Sequence, residues 1–228
     1  MRLVTIAGPP SSGKTAVTIK AIASLQQESV HVGVVKFDSL STQDQSLYEK
    51  QGVVVTTGLS GNLCPDHFFV SNVSDCLSWG VQKGFDLLVI ESAGLCNRCA
   101  PHIQGVLAVC VIDNLSGVDT PKKIGPMLKM ADVVVITKGD IVSQAEREVF
   151  AYRVRQVNSN ATILNVNGLT GQGGYELGRL LLNAPETAEL EGKLLRFSMP
   201  AALCSYCLGQ RRIGSDFQMG NVKKMAFT

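Results

Sequence analysis

Short and nearly continuous apolar runs recur along the chain at Leu3–Ala7, Val32–Val35, Val53–Val55, Leu87–Ile90, Val106–Ile112, Val133–Ile136 and Ile163–Val166. Several lack the alternation of a half-exposed strand, as strands buried on both faces do. Between them, Thr15–Leu25, Val70–Gln82, Ser143–Val157 and Tyr175–Leu182 carry apolar residues at helical spacing. Strands that alternate with helices predict βαβ units and an α/β fold with a mostly parallel sheet flanked by helices. No internal repeat and no low-complexity tract interrupts the pattern. The acidic, small-residue segment from Asn183 to Gly192 reads as a linker, which divides the chain into a main domain over 1–183 and a linker with a C-terminal extension over 184–228.

The first predicted strand runs into Gly8-Pro9-Pro10-Ser11-Ser12-Gly13-Lys14-Thr15, and a predicted helix follows directly. Glycines at the two ends of such a loop let the chain turn tightly, so that successive N–H groups and the helix N-terminus face an anion. Lys14 is placed to neutralise the β- and γ-phosphates of a nucleotide, and the Thr15 hydroxyl to ligate Mg²⁺. The fold expectation thereby sharpens to a P-loop NTPase. Leu87-Leu88-Val89-Ile90-Glu91 ends an apolar strand on an acid, where a metal-polarising or water-orienting carboxylate belongs, and Ser92-Ala93-Gly94 allows a mobile loop after it. A surface acid at a strand end is the plainer alternative.

The strand Val133–Ile136 leads into Thr137-Lys138-Gly139-Asp140, a variant of the Asn-Lys-x-Asp guanine motif. Asp140 can accept from guanine N1–H and N2–H₂, whereas adenine would leave its carboxylate unpaired, so GTP is favoured over ATP. Thr137 lacks the asparagine amide that ordinarily braces this site. Asn167-Gly168-Leu169, in the loop after the last strand, is placed to close over the base.

Seven cysteines in 228 residues change the picture further. The chain is 45% hydrophobic and 18% charged, with a net charge of +2, no basic stripe to track a nucleic-acid backbone, and no apolar run of membrane-spanning length. Its first residues are too few for a signal-peptide core ahead of the phosphate loop. The expectation is a cytoplasmic protein that binds neither nucleic acid nor membrane, whose cysteines are thiols or metal ligands and not disulfides. Three clusters stand out: Cys64-Pro65-Asp66-His67, Cys96-Asn97-Arg98-Cys99 and Cys204-Ser205-Tyr206-Cys207. Each sets soft ligands across two intervening residues, a spacing that lets both converge on one ion. Cys96 and Cys99 lie five and eight residues past Glu91, so metal bound there would sit in a loop that nucleotide hydrolysis can move. Cys110 and Cys76 read as core residues, and His31 and His102 have no ligand-spaced partner as clear as that of His67.

Together these motifs resemble the SIMIBI-class P-loop GTPases that insert nickel during hydrogenase and urease maturation, the HypB/UreG-like, CobW-related metallochaperones. The resemblance covers residues 1–183. Lys36-Phe37-Asp38 with Thr42-Gln43-Asp44 is similar to the family's first switch, which implies Asp38 near Mg²⁺ and Asp44 in a switch role. Cys64-Pro65-x-His67 resembles its Cys-Pro-His metal motif with Asp66 inserted, and Ile90-Glu91-Ser92-Ala93-Gly94 its Glu-Ser/Asn-x-Gly segment. Val111-Ile112-Asp113 and Thr170-Gly171-x-Gly173 fit as well, while Thr137 and the tail from Gly192 depart from the pattern.

The resulting expectation is a homodimeric GTPase in which Lys14, Asp38, Asp44 and Glu91 serve hydrolysis, with Mg²⁺ at Thr15, Asp38 and Glu91. It would couple hydrolysis to delivery of nickel or zinc to a client metalloenzyme or another maturation protein. Cys96, Cys99, Cys204 and Cys207 would share one ion, and Cys64 with His67 a second, more exchangeable one. Two alternatives stay open: a nucleotide-dependent activator that carries an iron–sulfur cluster on its Cys-x-x-Cys pairs, and a small-molecule kinase with a structural zinc in its tail.

Overall fold

The structure, a computed structural model, describes residues 1–95, 99–198, 210–218 and 223–227. In chain order the elements are β1 (Arg2–Ala7), α1 (Lys14–Gln27), β2 (Val32–Asp38), α2 (Asp44–Glu49), β3 (Val54–Leu59), α3 (Pro65–Gln82), β4 (Leu87–Glu91), β5 (Leu107–Asp113), α4 (Thr120–Lys123), α5 (Pro126–Lys129), β6 (Val133–Thr137), α6 (Gln144–Val157), β7 (Thr162–Asn165) and α7 (Gly174–Leu182). Every apolar run read from the sequence is a strand, displaced by a few residues at most. The α3 helix begins five residues earlier than its apolar spacing indicated. Cys64, in an extended conformation, caps it, and Pro65 takes the first helical position, where its missing N–H costs nothing. At α6, Ser143 and Glu146 form a reciprocal capping box that fixes where the helix starts.

The strands form one sheet in the order β3-β2-β4-β1-β5-β6-β7, and every pairing is parallel. Alternate side chains of each strand enter opposite faces. Val4 and Ile6 pack with Val17, Ile22 and Leu25 of α1 and Leu177 and Leu181 of α7. Leu3, Phe37, Leu88 and Ile90 meet Phe68, Phe69, Val73 and Leu77 of α3 on the other face, and Cys110, Ile112 and Val134 meet Met127, Phe150 and Val154. The parallel strands are therefore covered on both sides, which is why they read as continuous apolar runs.

Two topological facts position the site. The connection that leaves β1 runs toward β2 on one side and that which leaves its neighbour β5 runs toward β6 on the other, and ligands of open α/β sheets bind at the carboxyl end of the strands at such a point. In addition β4 inserts between β1 and β2, so that Glu91 is in register with Ile6 on one side and Lys36 on the other. An acid at the end of one strand thus comes beside a lysine fifty-five residues earlier.

Residues 184–198 run back over the domain. Glu186 bridges Arg2, Leu195 bridges Ile103, and Leu190, Leu195 and Ile213 are buried in the core beneath α3. Arg196 uses all its guanidinium donors: two to the Asp132 carboxylate at 2.8 and 2.7 Å, and others to the carbonyls of Ile103, Met130 and Val106. Arg211 and Arg212 return to the same place, with Leu195 N–H donating to the Arg211 carbonyl and Leu194 bridging Arg212. Both ends of the segment 197–210 are thereby anchored beside His102 and Ile103. Among the described residues no helix is long and apolar enough to cross a membrane.

Candidate functional site

The loop between β1 and α1 carries Gly8, Pro9, Pro10, Ser11, Ser12 and Gly13 over the carboxyl end of the sheet. Gly8 has no room for a side chain: a Cβ there would lie 2.1 Å from the Val111 carbonyl oxygen. Gly13, with a left-handed φ of 91°, starts α1 and presents its N-terminus to the loop. Lys14 is almost completely buried, and its ammonium donates to the carbonyls of Gly8 and Pro9 at 3.0 Å each. Burial holds its pKa below the usual lysine value, and the neighbouring Lys36 charge acts in the same direction. Gly94 closes over this loop so tightly that a Cβ would stand 1.7 Å from the Gly8 oxygen and 3.1 Å from the Lys14 ammonium. The segment after Glu91 is therefore in direct contact with the phosphate loop.

Glu91 is fully buried, which removes the reading of a surface acid. Its Oε1 accepts from the Thr15 hydroxyl at 2.8 Å and from the Lys36 ammonium at 2.6 Å, and its Oε2 accepts from the Tyr48 hydroxyl. The Lys36 ammonium also lies 2.7 Å from Asp44 Oδ2. Burial opposes the charge on Lys36, but Glu91 and Asp44 outweigh it and raise its pKa. Burial likewise works against the Asp44 carboxylate, and the hydrogen bond from Lys36 overcomes it and lowers that pKa. Lys14, Thr15, Lys36, Asp38, Asp44 and Glu91 line one cavity of about 450 Å³. Asp38, at the end of β2, turns its carboxylate to the Ser39 N–H.

Two residues of this network carried no role in the sequence reading. Lys36 had a visible signal, since it is the one charge inside the otherwise apolar run Val32–Phe37. Tyr48 had none, because its contact with Glu91 depends on how α2 folds over the β2–β4 pair. The ring is fully buried, and burial together with the adjacent Glu91 charge raises its pKa well above the usual tyrosine value.

A second cavity, of about 240 Å³, opens on the other side of the loop, lined by Gly13, Ala16, Val17, Thr137, Lys138, Asp140, Ile141, Asn167, Gly168 and Leu169. The bracing that an asparagine amide would give here comes from the Thr137 hydroxyl, which is buried and donates to the Ser12 carbonyl at 2.6 Å. Lys138, in a left-handed conformation, reaches the Ser11 carbonyl at 2.8 Å. Asn167 Oδ1 accepts from the N–H groups of Leu169 and Thr170 and fixes a turn that lays the exposed Leu169 at the mouth of the cavity. The exposed Asp140 carboxylate stands at its wall.

Cys64 and His67 occupy the cap and first turn of α3, with Cys64 partly buried and His67 buried. Burial lowers the His67 pKa. Asp66, between them, is buried and pushed up to about 7 by desolvation, against the opposing pull of Lys14. Cys99 is buried next to Ala100 and Ile103, in the same core cluster as Leu195 and Ile213. Cys96, Cys204 and Cys207 lie outside the described residues. Among the described residues no three His, Cys, Asp or Glu side chains are placed together as a ready metal site. Cys76 and Cys110 are core residues, as their sequence context indicated; burial raises both thiols, that of Cys110 to about 12. His102 is buried between Thr5 and the Met127 carbonyl, and desolvation lowers its pKa to about 4, so it is a neutral packing residue.

A parallel sheet with this strand order and a glycine-bounded loop at its switch point defines a P-loop nucleotide-binding domain. Residues 2–165 match the family described as CobW/HypB/UreG, nucleotide-binding domain, and the chain belongs to that family. An uncharacterized protein of Methanocaldococcus jannaschii is 45% identical over 225 residues, which cover 99% of this chain and 96% of that protein. The urease accessory protein UreG 1 of Saccharopolyspora erythraea is 32% identical over 150 residues, 61% of this chain and 59% of the relative. Among solved structures, HypB from Helicobacter pylori in complex with nickel shares the fold, with a TM-score of 0.65 at 20% identity over 83% of this chain and 91% of that one.

Proposed function

We propose that this protein is a GTPase that couples hydrolysis to delivery of a transition metal to a client metalloenzyme or to another maturation protein. The observation that carries the reading is the contact of Glu91 with Thr15 and Lys36, three residues before Gly94 meets the Gly8 carbonyl and Lys14, with Cys96 and Cys99 next in the sequence. A group that senses the phosphates is thereby joined by a few residues of chain to soft metal ligands. Family membership supports the nucleotide half of the reading, and the nickel in a HypB relative and the urease accessory role of a UreG relative support the metal half.

The donors around Thr15 fit Mg²⁺, which takes hard oxygen ligands and is commonly held by a hydroxyl, one or two carboxylates and the substrate's own phosphates. Thr15, Asp38 and Glu91 would hold it, and when bound it neutralises charge on the β- and γ-phosphate oxygens. Lys14 exchanges its two backbone carbonyls for phosphate oxygens, and the N–H groups of Ser11, Ser12 and Gly13 with the N-terminus of α1 complete the cradle. Glu91 orients the Thr15 hydroxyl, while Asp44 and Tyr48 hold the first switch against it. On the base side, Asp140 accepts from guanine, Lys138 and Leu169 flank the ring, and Thr137 keeps the loop and the base pocket in fixed relation.

For the metal, both ends of the tail segment that contains Cys204 and Cys207 are tied beside Ile103, a few residues past Cys99. This supports one shared site for Cys96, Cys99, Cys204 and Cys207, with nickel or zinc as the ion. Cys64 and His67, on one turn of α3 near Lys14, form the second and more exchangeable position. Exposed Leu47 and Leu95 at the phosphate cavity, with Ile141 and Leu169 at the base cavity, support a homodimer that closes over the nucleotide.

The base assignment is tested by competition between nucleotides. The wild type is expected to prefer GTP over ATP by at least about a hundredfold, since the wrong base leaves the Asp140 carboxylate unpaired. Asp140→Asn should lose GTP affinity and gain affinity for xanthosine triphosphate, whose extra carbonyl suits an amide donor. Equal affinity of the wild type for ATP and GTP would overturn the assignment.

A further inference from the structure

The most unusual group in the phosphate cavity is the Lys36 ammonium. It is only 3% exposed and lies 2.6 Å from Glu91 and 2.7 Å from Asp44, beside the Thr15 hydroxyl that shares the same Glu91 oxygen. A cation therefore already bridges Asp44 and Glu91, the carboxylate that shares the Thr15 hydroxyl at the proposed magnesium position. We propose that Lys36 is the resident counter-cation of this site, which excludes divalent ions until a nucleoside triphosphate brings its own phosphates. The inference rests on the reading of the cavity as a nucleotide and Mg²⁺ site.

Lys14 and Lys36 match the charges of Glu91 and Asp44, which leaves Asp38 as the one unmatched charge of the cavity lining. A divalent ion that entered alone would bring two positive charges to a lining with a single unmatched carboxylate, and would compete with an ammonium that holds Glu91 and Asp44 at short range. Desolvation makes that entry unfavourable. A triphosphate reverses the balance, because its negative charge exceeds that of the ion it brings and its oxygens supply ligands the protein lacks. Ion binding then follows nucleotide binding and ends when the phosphates leave. For a protein that handles a soft transition metal, the same device keeps that metal out of the hard-oxygen site between cycles. The Lys36 side chain reaches Asp44 of α2 as well as Glu91, so the counter-cation also ties the first switch to the strand end in the nucleotide-free protein.

Mn²⁺, a paramagnetic stand-in for Mg²⁺, gives the test on the full-length protein. By electron paramagnetic resonance, nucleotide-free wild type should leave Mn²⁺ free at concentrations where the complex with a non-hydrolysable GTP analogue takes up one ion per chain. Lys36→Gln should bind Mn²⁺ without nucleotide, at least about tenfold more tightly than the wild type, and Lys36→Arg, which keeps the charge, should behave as the wild type. Tight Mn²⁺ binding by nucleotide-free wild type, or Lys36→Gln no tighter than Lys36→Arg, overturns the proposal. Should Lys36→Gln fail to fold, thermal melting of the wild type decides instead: Mg²⁺ alone should leave its midpoint unchanged and should raise it only with the GTP analogue present. A rise with Mg²⁺ alone overturns the proposal. Failure of the wild type to bind the analogue at all would sink the nucleotide reading, a result distinct from either outcome for Lys36.

Discussion

Replacing Lys14 with alanine is expected to abolish hydrolysis and to weaken triphosphate binding by roughly a thousandfold, because two charge-assisted hydrogen bonds to phosphate are lost at about 2 kcal/mol each. Lys14 is held in place before any phosphate arrives, by the Gly8 and Pro9 carbonyls, and is buried under Gly94. No other ammonium in the cavity can replace it, since Lys36 is committed to Glu91 and Asp44. The fold should survive, because the two carbonyls that Lys14 releases can be hydrated from the cavity. Isothermal titration with a GTP analogue and a phosphate-release assay read the two effects separately. Hydrolysis at the wild-type rate would show that the phosphate site lies elsewhere.

The second large effect concerns Glu91, whose carboxylate gathers Thr15, Lys36 and Tyr48 in the interior. Glu91→Gln keeps the shape and removes the charge, so the buried Lys36 ammonium loses its shortest partner. Breaking a buried pair from one side costs roughly 3 kcal/mol or more, and hydrolysis should fall by at least about a hundredfold as the Thr15 hydroxyl loses its orientation. A double-mutant cycle separates the two contributions. Lys36→Met combined with Glu91→Gln removes the buried ammonium, left with Asp44 alone, and should be more stable than Glu91→Gln alone, while hydrolysis stays low. Denaturant unfolding of the four proteins supplies the stabilities. A Glu91→Gln stability within about 0.5 kcal/mol of wild type would mean that the network does not hold the site together.

The contrast between Lys14 and Glu91 shows how far the sequence carries. The loop around Lys14 is legible from eight consecutive residues, because its pattern is local: tight turns, backbone N–H groups and one ammonium. The strands are legible for a similar reason, since burial on both faces leaves continuous apolar runs. Glu91 could be placed at the end of a strand but not in its environment. Its partners Lys36 and Tyr48 reach it only because β4 inserts between β1 and β2, a consequence of chain order across the sheet that no local pattern encodes. The short helix α2 escaped notice because six residues offer less than two turns of periodicity. In the cavity that Asp140 lines, Thr137 looked like the loss of an amide. The fold shows a different group making the same tie, from the Thr137 hydroxyl to the Ser12 carbonyl. The return of residues 184–198 and 210–213 to the core was also hidden, because an acidic, small-residue sequence gives no sign that Leu190 and Leu195 are buried.

The central claim is that nucleotide state and metal occupancy are coupled through the loop that follows Glu91. The direct measurement is metal content of anaerobically purified protein, by mass spectrometry of the ions, for wild type, Cys96→Ser/Cys99→Ser and Cys204→Ser/Cys207→Ser, each with GDP and with a non-hydrolysable GTP analogue. The account predicts that wild-type occupancy differs between the two nucleotides and that both double variants lose the same ion. Full wild-type metal content in either variant in both states, or wild-type occupancy that ignores the nucleotide, would contradict it.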